Sequence, residues 1–308
     1  MTRTRFTWAV FLLASFTFAA VARGQSMSLI PKAEFGGYPY SFLDACNNMS
    51  QWPNVLSVTS DLGSFVADLN AGDDSSLSTC FSNMQEAGLE LTIEAAAVQP
   101  GGCGGGVGCY NSLASTLTRM INLGAPAIRI RLQEPLTDGR EAGWNDGDIV
   151  NETVTFLAWL RSNYSVQVTS VEAYPYNSAS SLNWWMSALK ISCDGAGVQP
   201  PDNFELDHDL NASGWSWSDV WSMQGQAHSL GWGFGYIFGS PVPSWQQSWA
   251  ANAFAQGPYV TGAPDVYTFE SWESSDPSTT IPETYSGSGP WSFMFTANDF
   301  RNVGYFPR

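Results

Sequence analysis

With 28 acidic against 12 basic side chains in 308 residues, the chain carries a formal net charge of −16. That charge repels nucleic-acid backbones and anionic membrane surfaces, and it favours neutral or cationic partners. The length allows one large domain or two small ones, and no Pro/Ser tract, charge block or shift in composition marks a linker.

The N-terminus reads Met1-Thr2-Arg3-Thr4-Arg5, then an apolar run from Trp8 to Ala20, then Ala20-Val21-Ala22 ahead of Arg23. A basic start, a hydrophobic stretch too short to span a bilayer and a small-x-small site are the parts of a secretory signal, here residues 1–22. Residues 23–308 are then expected to form one extracellular, monomeric domain in an oxidising compartment. Of five cysteines, Cys103 and Cys109 bracket a glycine-rich stretch and are expected to close a small loop. At most one further pair can form; Cys46 with Cys80 is the expected one, leaving Cys193 buried. Asn48, Asn151, Asn163 and Asn211 head Asn-x-Ser/Thr triplets, which are glycan acceptors if the host is a eukaryote.

The mature chain repeats a unit of roughly 30 to 40 residues, a helical pattern followed by a β-rich apolar run. The runs are Asn54 to Thr59 (ending at Asp61), Leu89 to Glu94, Ala127 to Leu132, Val166 to Glu172, Phe204 to Asp209, Gly233 to Gly239, Val266 to Glu270 and Trp291 to Thr296. Helical stretches read as Leu77 to Ala87, Tyr110 to Leu123, Val150 to Ser162 and Trp217 to Leu230. Strands alternating with helices imply parallel pairing, and eight such units imply a closed (β/α)8 TIM-like barrel. The last two units are irregular, because residues 271–290 read as loop and about a dozen residues follow the eighth run. An open doubly wound sheet is the competing fold, but no Gly-x-Gly-x-x-Gly turn follows any run.

Residues at the C-terminal ends of barrel strands handle substrate. Here these are Asp61, Glu94, Glu134, Glu172, Asp207 with Asp209, and Glu270, so acids end six of the eight runs. Glycoside hydrolysis uses two carboxyl groups, one protonated to give a proton to the leaving oxygen and one ionised as nucleophile or base. Glu172 and Glu270, counted as ending strands four and seven, are the expected pair. This layout resembles the clan of retaining barrel glycoside hydrolases, and the resemblance implies Glu172 as acid/base and Glu270 as nucleophile. In that clan an asparagine usually precedes the strand-four glutamate, whereas Val171 stands here. Glu205, Asp207 and Asp209 alternate along one strand and so share a face. They are loosely similar to the alternating acids of chitinase-like barrels, although the order differs; Asp207 or Asp209 is the alternative acid.

Arg129 and Arg131 share a face of the third run, where they can pair with neighbouring acids. Arg131, Tyr174, Tyr176, Trp215, Tyr236 and Trp272 join Asp61, Glu94 and Glu134 as the expected sugar-binding set. Trp184, Trp185 and Trp217 are further candidates for stacking on sugar faces. With His208 and His228 as the only histidines and no Gly-x-Ser-x-Gly motif, a nucleophilic triad has little to draw on. No cofactor and no zinc site is expected. The sequence therefore reads as a secreted hydrolase of a neutral or cationic polysaccharide. A non-catalytic carbohydrate-binding or host-interaction protein on the same barrel is the alternative, and calcium held by the acidic mouth is a third reading.

Overall fold

The structure is a computed structural model and describes residues 26–30, 57–61, 70, 73–86, 88, 90–208, 212–238 and 265–270. Eight parallel strands form its centre: β1 (Ser26–Ile30), β2 (Ser57–Asp61), β3 (Glu90–Ala95), β6 (Ile128–Leu132), β7 (Gln167–Tyr174), β8 (Asn203–His208), β9 (Gly233–Phe238) and β10 (Val266–Glu270). Their hydrogen-bonding order, β1-β10-β9-β8-β7-β6-β3-β2, closes on itself, because β1 pairs with both β10 and β2. A two-stranded antiparallel ribbon, β4 (Val98–Gln99) with β5 (Gly104–Gly105), follows β3.

Among the described residues, helices lie in five of the connections: α1 (Asp74–Glu86), α2 (Val107–Asn122), α3 (Pro135–Glu141) with α4 (Asp146–Asn163), α5 (Ala179–Ala196) and α6 (Trp217–Ser229). Local chemistry fixes their ends. The Asn145 side chain accepts from Asp148 N at the start of α4, and Ser178 and Ser216 do the same for α5 and α6. Pro135 opens α3, where its missing N–H costs nothing. Gly197 closes α5 in the left-handed conformation that suits glycine. Among the described residues no helix is long and apolar enough to cross a membrane.

The apolar core lies between strands and helices. Leu91, Ile93, Ile130, Leu132, Phe204, Leu206 and Phe234 face outward and are buried with Leu113, Leu117, Leu157, Leu189 and Met223 from the helices. Each such side chain contributes about 1.5–3 kcal/mol on leaving water.

One sequence expectation needs correction. Ser26–Ile30 is a strand that the apolar runs did not predict, so every later strand moves up by one in the barrel count. Among the described strands the barrel closes through the pairing of β1 with β10; the run Trp291 to Thr296 lies outside the described residues. Cys103 and Cys109 form the expected disulfide, and Cys193 is a buried free thiol. Cys80 is also disulfide-bonded, while Cys46 lies outside the described residues. Residues 1–22 and the acceptors Asn48 and Asn211 lie outside them as well; Asn151 and Asn163 are exposed on α4.

Candidate active site

Register decides which side chains face into the barrel. Paired residues of neighbouring parallel strands share a face. Glu94 pairs with Arg131, Arg131 with Thr169, Thr169 with Asn203, Glu205 with Gly235, and Ile237 with Thr268. The inward set therefore includes Glu90, Thr92 and Glu94 on β3, Arg129 and Arg131 on β6, and Glu205 and Asp207 on β8. Thr268 and Glu270 on β10 and Asp61 on β2 hold inward register positions.

Arg131 is the hub of this interior. It is 2% exposed, and its Nη2 donates to Glu205 Oε2 at 2.5 Å and to Thr268 Oγ1 at 2.9 Å. Nη1 lies 3.6 Å from Glu94 Oε1, and Thr268 Oγ1 donates to Glu205 Oε2 at 3.2 Å. A buried cation between two buried carboxylates compensates charges that would each be costly alone. Gly235 completes the arrangement, since a Cβ there would overlap Glu205 Cγ. The sequence reading missed both Thr268 and Gly235. Thr268 was accessible to it, because it sits two residues from Glu270 on the seventh run.

Contact between Glu205 and Thr268 ties β8 to β10 past the intervening β9. Asp207 and Glu270 are each two residues further along those strands, so both occupy the next layer toward the mouth. Asp207 is half-buried there. Two strand spacings separate the backbones, about 10 Å. Asp61 reaches the same end by register with Glu94. The side chains of Asp61 and Glu270 lie outside the described set, as do Asp209 and Trp272 altogether.

Glu172 is elsewhere, which corrects its expected role. It belongs to the fifth barrel strand and pairs with the outward-facing Leu206, so it faces α3 rather than the interior. Fully buried, it accepts from Leu136 N at 2.8 Å, Thr137 N at 3.2 Å and Thr137 Oγ1 at 3.0 Å, which caps the N-terminus of α3. Burial pushes its carboxyl up to about 8, against the hydrogen bonds that pull it down. Neighbouring Asp138, also missed in the sequence, is pushed up to about 6 by burial and by the charge of Glu141. Glu134, the residue before α3, is half-buried with a left-handed backbone at φ 35°. That strained conformation is uncommon outside glycine and is found preferentially at functional positions.

The aromatic expectations also divide. Tyr174 and Tyr236 face outward with His208, correcting their assignment to the sugar cleft: the Tyr236 hydroxyl bonds His208 Nδ1, and the Tyr174 hydroxyl donates to Asp219 Oδ2 at 3.1 Å. Trp215 packs edge-on against His208 at 4.6 Å between ring centroids, and Trp217 at 6.3 Å. Burial pulls the His208 imidazole down to about 3, so it is neutral. Trp185 is buried, donating to Ser170 Oγ at 3.2 Å, whereas Trp184 and Tyr176 are exposed. Tyr176 stands near the mouth, hydrogen-bonded to Glu141. Among the described residues no group of three or more His, Cys, Asp or Glu side chains is arranged to hold a metal ion.

Solved structures share this architecture. The carboxyl transferase domain from Rhizobium etli pyruvate carboxylase with 3-bromopyruvate superposes with a TM-score of 0.53 at 11% identity, over 92% of this chain and 47% of that one. The same domain with pyruvate gives 0.51 at 12% identity, over 80% and 40%. Xylanase B from Clostridium stercorarium F9 gives 0.48 at 9% identity, over 80% and 86%. The chain spans less than half the length of the two carboxyl transferase structures. At such identities the likeness to the carboxyl transferase domain is one of fold, an α/β barrel of the TIM type. No family model matches the chain, and no curated protein does.

Proposed function

We propose that this chain is a secreted glycoside hydrolase on a (β/α)8 barrel, with Asp207 and Glu270 as its two carboxyl groups. The observation that carries the reading is the polar interior: Arg131 holds Glu94, Glu205 and Thr268 together, and Asp207 and Glu270 follow Glu205 and Thr268 by two residues at the next inward register positions. The glycosidase clan's own pairing does not transfer. With β1 counted, its strand-four position falls on Glu134, and its strand-seven position falls where β9 ends at Ile237-Phe238, without an acid.

In the reaction, one carboxyl gives its proton to the glycosidic oxygen as the bond to the anomeric carbon breaks. The other, ionised, either bonds that carbon or takes a proton from an attacking water. Arg131, one layer below, anchors the carboxylates beneath the pair and fixes the floor of the site. Glu134 and Tyr176 flank the mouth and are assigned to sugar hydroxyls. The Cys103–Cys109 disulfide supports an oxidising compartment, and N-terminal sequencing of exported protein should begin near Arg23.

The test is release of reducing ends from a panel of neutral and amino-sugar polysaccharides. Turnover by the wild type that falls by at least about 10²-fold in Asp207→Asn and in Glu270→Gln supports the pair. Ligand retention without turnover favours the non-catalytic carbohydrate-binding reading.

A further inference from the structure

At the opposite end of the barrel, a cleft of about 660 Å³ opens between the N-terminal ends of β3, β6 and β7 and the end of α4. Its floor is the lowest inward layer of the barrel, where Arg129 pairs in register with both Thr92 and Gln167, and Glu90 lies on β3 beside them. Arg129 Nε donates to Glu90 Oε2. Neither terminal nitrogen of Arg129 has an acceptor among the described residues, and the other Glu90 oxygen has no donor there. The two side chains are 18% and 24% exposed, so those free atoms are open to the cleft.

This is a fixed donor set beside a fixed acceptor set. A vicinal diol answers both at once, because each hydroxyl accepts from the guanidinium and donates to the carboxylate. The exposed Gln167 amide adds a further donor and acceptor, and Tyr164 lines the cleft with its ring half-buried. The second ion pair, Arg161 Nη2 to Asp202 Oδ2 at 2.8 Å, brings the charged groups lining the cleft to two cations and two anions. A locally neutral site on a chain of net charge −16 gives an anion no attraction. The volume lies within the range of small-molecule sites.

We propose that this basal cleft is a second carbohydrate site, which binds a neutral mono- or disaccharide through Arg129, Glu90 and Gln167 without turning it over. It is separate from the mouth and does not depend on the hydrolase reading.

The experiment uses the exported chain produced without N-glycans, because Asn163 borders the cleft. Saturation-transfer NMR is titrated with glucose, xylose, mannose, galactose, N-acetylglucosamine and their β-1,4 disaccharides, with glucuronate and inorganic phosphate as comparators. At least one neutral sugar should bind saturably and more tightly than either anion. Binding should weaken at least about tenfold in Arg129→Lys, which keeps a cation for Glu90 but loses the planar fork. It should be lost in Gln167→Trp, which fills the cleft from an exposed position, and be unchanged in Asp207→Asn. Circular dichroism establishes that each variant is folded. No saturable binding by any neutral sugar, preference for an anion, loss in Asp207→Asn, or full binding in folded Gln167→Trp overturns the proposal.

Discussion

On β3, β6 and β8 the two faces of the barrel wall follow contrasting rules. The outer face, between strands and helices, is built from Leu, Ile, Val and Phe, whereas the inner face carries Glu90, Thr92, Glu94, Arg129, Arg131, Asn203, Glu205, Asp207 and Thr268. Barrels of this kind ordinarily fill their interior with branched apolar side chains. Here Arg131, Glu94, Glu205 and Thr268 put fixed charge and hydrogen bonding where such side chains would otherwise pack. The outer face has its own acid in Glu172, and the contrast with Asp207 is instructive. Glu172 is enclosed by the donors of a helix terminus, whereas Asp207 is half-buried at an inward register position.

The largest effect that sharpens this contrast is expected from Arg131→Met. Losing the hub leaves Glu94 and Glu205 buried without their cation, and chemical denaturation should show a loss of about 3–5 kcal/mol. Gly235→Ala is expected to follow, since the added methyl displaces Glu205 from the hub; about 1–3 kcal/mol is anticipated from overpacking, with turnover lost as well. Glu172→Leu should cost about 1–3 kcal/mol by leaving the Leu136 and Thr137 donors unanswered, with turnover retained in the fraction that is folded.

The stability is also expected to depend on pH. Glu172 and Asp138 hold their protons to higher pH in the folded chain than in the unfolded one, to about 8 and about 6 respectively. Their contribution to stability is therefore complete on the acid side of the ordinary carboxyl range and declines as pH rises through 6 and then 8. Thermal melts from pH 4.5 to 8.5 should show this decline, and Glu172→Gln should remove its upper part.

Much of the interior was legible because polar and apolar residues alternate on β3, β6 and β8. Glu90-Leu91-Thr92-Ile93-Glu94 and Arg129-Ile130-Arg131 announce a polar face directly. On β7 that signal fails. Val168, Ser170 and Glu172 face out while Thr169, Val171 and Ala173 face in, so both faces mix polar and apolar residues, and only pairing with β6 and β8 settles the sides. The missed β1 has a similar cause. Ser26-Met27-Ser28-Leu29-Ile30 is short and directly follows the predicted leader, and it becomes recognisable only through its pairing with β10 and β2. That omission moved the strand count by one and placed Glu172 opposite Glu270. Tyr174 and Tyr236 read as site residues for the same reason: their positions at or near strand ends were visible, but their side was not.

The most direct test of the central claim is a paired measurement of turnover and unfolding free energy in Asp207→Asn and Glu172→Gln. The account predicts near-wild-type stability with turnover abolished in the first, and turnover preserved with stability reduced in the second. Full activity in Asp207→Asn, or loss of activity in a stably folded Glu172→Gln, would contradict it.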